Sequence, residues 1–216
     1  MPLLMLDLDN TLVDRDAAFR DATAAFLAEH ALPESDIAWV MSVDASGYTP
    51  RQVVAQAMAE RYGASLPASA IRILLDSGAA DRVVLPEAIR GALGKAVADG
   101  WTCAIVTNGP TAQQETKIRN SGLDKLVHGW AISEEVGQKK PAPEIFRAAA
   151  AAVGASLHGA WVVGDSPQAD IAGANGLNLR SIWVSSGRPW TETSYRPTLV
   201  ADDAASGINF ITSMPR

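Results

Sequence analysis

The sequence is sparing with several residues that would announce a function class. It has one cysteine, Cys103, among 216 residues, so no internal disulfide can form and the chain suits a reducing compartment. Cys103 lies in the apolar run Trp101–Val106 and reads as core, not as a nucleophile. The three histidines, His30, His128 and His158, stand far apart in no ligand-like spacing, which leaves no case for an imidazole metal site. Charged residues are only 19 % of the chain, the formal net charge is −6, and no Lys/Arg block occurs. That balance argues against a nucleic-acid-binding surface. Long apolar runs are also lacking. Ala148–Gly164, the longest stretch free of Asp, Glu, Lys and Arg, is interrupted by Gly154, Ser156, His158 and Gly159, and no membrane span is expected. Acidity from Asp7 onward leaves no room for a signal-peptide apolar segment. A soluble, cytoplasmic protein is the expectation.

What is present is a core. Apolar residues make up 48 % of the chain, enough for one large domain or one core carrying an insertion. Leu3–Leu6 reads as a short buried strand. Behind it the apolar spacing turns helical, through Phe19, Ala22, Phe26 and Leu27 over about 16–29, then Ile37, Val40, Met41 and Val43, then a helix starting near Pro50, then Ile71, Leu74 and Leu75 before Gly78. Residues 14–83 hold no β-rich run and read as an all-helical insertion. From Pro86 the rhythm is α/β: helix 86–98, strand Thr102–Val106, helix 110–120, a short strand over 126–132, helix 143–153, strand Ala160–Val163, a helix near 168–175, strand Leu179–Val184 and an edge strand at Thr198–Val200. Apolar strands alternating with amphipathic helices imply a mostly parallel sheet covered on both faces.

The polar residues that interrupt this pattern fall at strand ends, where open α/β sheets bind ligands. The first strand delivers Asp7, Asp9 and Thr11, and strand alternation would turn the two carboxylates to the same side. The second delivers Thr107, Asn108 and Gly109. The strand ending at Val163 delivers Asp165 and Ser166, with Asp170 five places on. Lys139 and Lys140 stand where a loop enters a helix. Carboxylate oxygens suit a hard cation, best Mg²⁺, which shares its shell with substrate phosphate. A carboxylate beside such a cation and a lysine can attack phosphorus, and a second carboxylate can protonate the leaving alkoxide and later take a proton from water. Thr107 Oγ and the backbone N–H groups near Asn108 and Gly109 would donate to phosphoryl oxygens. Ordinary helix capping explains each of these residues singly. It explains less well why Lys140 and three aspartates should converge.

These residues resemble the four motifs of the haloacid-dehalogenase-like (HAD) hydrolase superfamily over about Leu3–Val200. Asp7-Leu8-Asp9-Asn10-Thr11-Leu12 is similar to the first motif. The resemblance implies Asp7 as nucleophile and Asp9 as general acid/base with a metal-binding carbonyl. Thr107-Asn108-Gly109 is similar to the second, implying Thr107 as donor to phosphate. Lys140 before Pro141 is similar to the third, with Lys139 a bystander. Gly164-Asp165-Ser166 with Asp170 is similar to the fourth, implying Asp165 as Mg²⁺ ligand and Asp170 as the residue that orients Lys140 or the metal's waters. Thr11, Gly109 and Ser166 take supporting places. Two departures stand out: Ala142 where the family often has Asp, and Ala169 where it often has Asn.

The resemblance also implies the architecture. A Rossmann-like core of residues 1–13 and 84–216 would carry a small C1-type helical cap of residues 14–83. Arg15, Arg20, Asp44, Tyr48 and Arg51 are the candidates for specificity in that cap, and Trp183, Trp190 and Ser185–Arg188 would edge the pocket or pack beneath it. The expected activity is Mg²⁺-dependent hydrolysis of a small phosphorylated metabolite through a phosphoaspartate, by a monomer or homodimer with no nucleic-acid or membrane partner. A phosphomutase would use the same two aspartates. Asp9 speaks against a 2-haloacid dehalogenase, and the completeness of the motifs against a non-catalytic regulatory protein. The cap's lack of lysine speaks against phosphonate hydrolysis.

Overall fold

The computed structural model describes residues 1–214. The chain divides into two compact units, one of Met1–Val13 with Leu85–Arg216 and one of Asp14–Val84.

The first unit is built on six parallel strands: β1 Leu3–Leu6, β2 Thr102–Thr107, β3 Gly129–Ile132, β4 Trp161–Gly164, β5 Arg180–Val184 and β6 Leu199–Ala201. Their order is β3-β2-β1-β4-β5-β6. The order reverses between β1 and β4, and such a reversal opens a crevice at the carboxyl ends of the two strands. Leu4, Met5 and Leu6 are wholly buried, as expected for a central strand covered on both faces. Leu3, Met5, Ala104, Val106, Ala160 and Val162 form one core layer with Ile145, Phe146, Ala149 and Ala150. The last four lie on α8, Pro143–Ala152. Alternation turns Leu4, Leu6, Cys103, Ile105, Trp161 and Val163 to the opposite face, where α5, Glu87–Ala98, packs with α10, Ala204–Ser213. Thr111–Asn120 forms α6, Ser133–Val136 a single turn, α7, and Ala172–Gly176 the short α9.

Three boundaries differ from the reading above. The strand expected over 126–132 is paired only from Gly129, because Leu126 and Val127 donate back to Leu123 in a turn. The helix expected near 168–175 opens as a wide π-type turn at Pro167–Ile171 before α9. No element was expected after Val200. Asp203 nonetheless caps α10 by accepting from the Ser206 N–H at 2.8 Å, and Ala204, Ile208 and Ile211 bury its inner face.

The second unit is helical: α1 Arg15–Glu29, α2 Ile37–Asp44, α3 Arg51–Tyr62 and α4 Ala68–Ser77. Asp14 caps α1 through the Ala17 N–H at 2.8 Å. The unit's interior holds a charged cluster. Arg15 and Asp44 are 2 % and 0 % exposed and pair through both oxygens of the carboxylate, with Arg51 Nη1 at 3.0 Å. Two residues proposed for specificity therefore serve each other inside the unit, while Tyr48 and Arg20 are exposed and Arg51 half-buried. Among the described residues no helix is long and apolar enough to cross a membrane.

Candidate active site

Extended pairing of the first strand stops at Leu6, and the chain then folds into a tight loop. The Leu8 carbonyl accepts from Leu12 and Val13 N–H groups at 2.9 and 3.1 Å, and Asn10 takes a left-handed conformation, φ 58°. This turn sends the two carboxylates to different cations, so strand alternation does not describe the pair. Asp7 goes to Lys140, with Oδ1 2.6 Å from Nζ. Asp9 goes to Lys117, with Nζ 2.8 and 2.7 Å from its two oxygens.

Lys140 is buried, and all three of its ammonium hydrogens are used. They reach Asp7 Oδ1 at 2.6 Å, Asp170 Oδ1 at 2.7 Å and the Val106 carbonyl at 2.7 Å. Burial would lower its pKa, but the charges of Asp170 and Asp7 outweigh burial and raise it, so the ammonium stays charged. Its neighbour Lys139 is exposed. The main chain at Lys140 is clamped by Asn108, which accepts the Lys140 N–H at 2.8 Å and donates to the Lys140 carbonyl at 3.2 Å. Asn108's side chain thus holds the lysine in place. The Gly109 N–H, which the sequence reading offered to phosphate, donates instead to Ser133 Oγ at 3.0 Å.

Across the topological reversal, the Asp7 N–H donates to the Val163 carbonyl at 2.9 Å and the Asp165 N–H donates to Thr11 Oγ at 3.0 Å. Thr11 Oγ itself lies 3.4 Å from Asp7 Oδ2. The loop after β4 is locked by Asp170, whose Oδ2 accepts the Ser166 N–H at 3.1 Å, and by Ser166, whose Oγ accepts the Ala169 N–H at 3.2 Å. Arg188 reaches back from the loop after β5, with Nη2 2.9 Å from the Asp165 carbonyl and 3.3 Å from Asp165 Oδ2. Trp183 is buried and donates its indole N–H to the same carbonyl at 2.9 Å, while Trp190 stacks edgewise on it at 5.0 Å. Trp183 thus packs beneath the loop that carries Asp165, with Trp190 against it.

Asp7, Asp165 and Asp170 each bring a carboxylate oxygen within 4.8 Å of the others, the one such group among the described residues. Burial is the main force raising the Asp7 carboxyl well above the usual range; Lys140 opposes it, and Asp170 and Asp165 add to it. Burial likewise pushes Asp165 up to about 6, with Asp170 adding and Arg188 and Lys140 opposing. Lys140 and Arg188 bring two positive charges to this group of three carboxylates, which leaves negative charge in excess. An all-oxygen set of this kind fits a divalent hard cation.

Sequence reasoning missed Gln114 and Lys117. Both are nearly wholly buried, and both lie on one face of α6 at i, i+3 spacing. Gln114 Nε2 donates to Asp9 Oδ2 at 3.0 Å and to Thr107 Oγ at 2.5 Å, and its Oε1 accepts from Lys117 Nζ at 2.8 Å. The faint signal was that spacing, on a helix that starts three residues beyond Asn108.

Fold and site together define a parallel α/β protein whose buried carboxylates and lysine gather at the reversal of the sheet. The family model for haloacid dehalogenase-like hydrolases matches residues 4–184, and the chain belongs to that family. It is 36 % identical over 111 residues to phosphoserine phosphatase from Thermus thermophilus, covering 51 % of this chain and 45 % of that protein. It is 33 % identical over 89 residues to glyceraldehyde 3-phosphate phosphatase from Pyrococcus abyssi, covering 41 % and 37 %. The chain therefore spans less than half the length of these curated relatives. In fold it is similar to YfnB from Bacillus subtilis, a structure bound to magnesium, with a TM-score of 0.76, 21 % identity and 99 % of both chains covered.

Proposed function

We propose that the protein is a Mg²⁺-dependent phosphomonoesterase acting on a small phosphorylated metabolite through a phosphoaspartate on Asp7. The observation that carries this reading is Lys140, saturated between Asp7 and Asp170, beside a cluster of three buried carboxylates. The two phosphatases to which the chain is partly similar support the reaction class.

Asp7 and Asp165, with the main-chain carbonyl of Asp9, would hold the cation. When bound, Mg²⁺ supplies the charge that lets an anionic carboxylate approach an anionic phosphoryl group. Lys140 keeps Asp7 Oδ1 in position and adds a fixed positive charge. An Asp7 oxygen forms a bond to phosphorus as the ester P–O bond breaks, and the leaving alkoxide takes its proton from Asp9. Water then attacks the same phosphorus, Asp9 accepts its proton, and the Asp7–P bond breaks to release inorganic phosphate. Thr107 Oγ donates to a phosphoryl oxygen throughout. The helical unit is the proposed cap, closing bulk water out and contacting the leaving group. Asp9 separates this reading from dehalogenation, which has no alkoxide to protonate.

The test is phosphate release from a panel of phosphorylated sugars, hydroxy acids and nucleoside monophosphates, with and without Mg²⁺. Turnover that needs Mg²⁺ and disappears in a folded Asp7→Asn protein is expected. Absence of turnover for every ester, aryl phosphate included, would remove the reading, and transfer of phosphate to a second hydroxyl in place of water would turn it into a mutase.

A further inference from the structure

We infer that Gln114 and Lys117 form one positioning device that fixes Asp9 and Thr107 relative to each other. The inference rests on the phosphatase reading. Asp9 stands on the loop after β1 and Thr107 closes β2, and in the proposed reaction they must serve one phosphoryl group from fixed places. A single planar amide connects them: the two hydrogens of Gln114 Nε2 go to Asp9 Oδ2 and Thr107 Oγ, at 3.0 and 2.5 Å. The orientation of the amide is decided by charge, since its oxygen faces the Lys117 ammonium at 2.8 Å and its nitrogen faces the Asp9 carboxylate. A threonine oxygen that accepts from Gln114 keeps its own hydrogen for a second partner, which is the polarity a phosphate donor needs.

Lys117 closes the device from the far side, bonding both Asp9 oxygens. With Lys117 only 3 % exposed and Gln114 only 1 %, neither side chain is a solvated helix-surface group that happens to lie near. Ordering a long lysine and a glutamine costs side-chain entropy, and burying them costs solvation, so their polar atoms must find partners inside. Asp9 and Thr107 are those partners. Gly109 gives a second, independent indication. Its φ is +147°, and a Cβ built there would lie 3.0 to 3.3 Å from Gln114 Cδ, Cγ and Oε1. The third residue of Thr107-Asn108-Gly109 is therefore small where the Gln114 side chain passes over it.

Both Asp9 oxygens accept from Lys117 in this geometry, so one of these bonds must open when Asp9 carries the proton it gives the alkoxide. The device fixes where Asp9 stands before that step and where Thr107 aims, and the two effects separate in kinetics. Lys117→Met, Lys117→Arg and Gln114→Met would be assayed with Mg²⁺ on an alkyl phosphate and on p-nitrophenyl phosphate, with inorganic phosphate as inhibitor and thermal unfolding as the fold control. A nitrophenolate needs little help from an acid and an alkoxide needs much, so a misplaced Asp9 steepens the leaving-group dependence of kcat/KM. Lys117→Met should lower kcat/KM for the alkyl ester about 100-fold, within the range of general acid–base effects, and for the aryl ester less than about tenfold. Lys117→Arg should recover part of the alkyl loss. Gln114→Met should do the same to leaving-group dependence and also raise the inhibition constant of phosphate about tenfold, as loosened outer partners do. Equal losses on both esters would mean a merely structural role and overturn the inference. So would a rise in the phosphate constant for Lys117→Met with unchanged leaving-group dependence. If Lys117→Met does not fold, Gln114→Met and Lys117→Arg still decide. A wild-type protein inactive on both esters would sink the phosphatase reading itself, whereas an active wild type with unaltered variants would sink only the device.

Discussion

Lys140 and Asp170 are joined by a buried ion pair of 2.7 Å, and the other oxygen of Asp170 holds the Ser166 N–H. One carboxylate thus ties the lysine to the loop that carries Asp165. Asp170→Asn keeps the size but removes the anion, and its NH₂ must face either Lys140 or the Ser166 N–H, so one of the two bonds is lost. The expected result is a fall in kcat of about 10- to 100-fold, the size typical of outer partners at a metal site, with KM nearly unchanged. Steady-state kinetics at saturating Mg²⁺ checks it, and a wild-type kcat would show that Lys140 needs only Asp7 and Val106.

Gly164 predicts a second route to the same failure. A Cβ on Gly164 would lie 2.2 Å from the Asp170 carboxyl carbon and from Oδ2, a distance no real contact sustains. Gly164→Ala must push Asp170 off both Lys140 and Ser166. Overpacking of this kind costs about 1–3 kcal/mol, so the variant should still fold, melt a few degrees lower and lose about 100-fold in kcat. Thermal unfolding measured beside turnover separates this outcome from simple unfolding.

Much of this site was legible because its residues interrupt apolar strands. Leu3–Leu6, Thr102–Val106 and Ala160–Val163 are near-continuous hydrophobic runs, as strands covered on both faces must be. Polar residues at their ends need a reason. Gln114 and Lys117 had no such contrast, because polar residues on a helix usually mean solvent, and nothing local told that this face turns inward. Arg15 and Asp44 were hard to place for the opposite reason. Charged residues in a helical unit suggested contacts for substrate, but 29 residues of separation hid that they bond each other. The start of β3 and the start of α10 were lost at the level of turn chemistry, in the N–H hydrogen bonds to the Leu123 carbonyl and the Asp203 cap.

The Arg15–Asp44 pair should govern the stability of the helical unit. Asp44 accepts from Arg15 Nη2 at 2.9 Å, from Arg51 Nη1 at 3.0 Å and from the Gly47 N–H at 2.9 Å, besides a closer contact to Arg15 Nη1. Arg15 also stacks on Phe19 at 4.5 Å. Asp44→Ala would leave the buried Arg15 guanidinium with only the partly exposed Asp16 carboxylate, 3.0 Å from Nη1, a loss of about 3 kcal/mol, the lower end for a broken buried pair. Adding Arg15→Met should return much of it, since removing both partners of a buried pair is often near neutral. Urea unfolding of the two variants checks both numbers.

A pH dependence follows from the second ionic contact of that unit. Asp36 accepts from Arg61 Nη2 at 2.6 Å, Arg61 Nε at 3.1 Å and Tyr62 Oη at 3.0 Å. Bonding to Arg61, aided by Tyr62 and opposed by burial, holds the Asp36 carboxyl below its ordinary value. Burial first, and Asp36 second, push the Tyr62 phenol up to about 12. Below pH about 4, the ordinary carboxyl value, the unfolded chain binds more protons at Asp36 than the folded one. The stability from this carboxylate is therefore present above that pH and lost as pH falls through the lower folded value. For Tyr62 the sign is opposite: between about 10, the ordinary phenol value, and the folded value, the folded state binds more protons. Its contribution is complete below that range and lost as pH rises through it. Thermal midpoints recorded from acid to alkaline pH for wild type and Asp36→Asn should differ by a constant amount near neutrality. The difference should shrink toward acid, where wild type loses what the variant never had, and a difference that stays constant below pH about 4 would mean that Arg61 does not favour the ionised form.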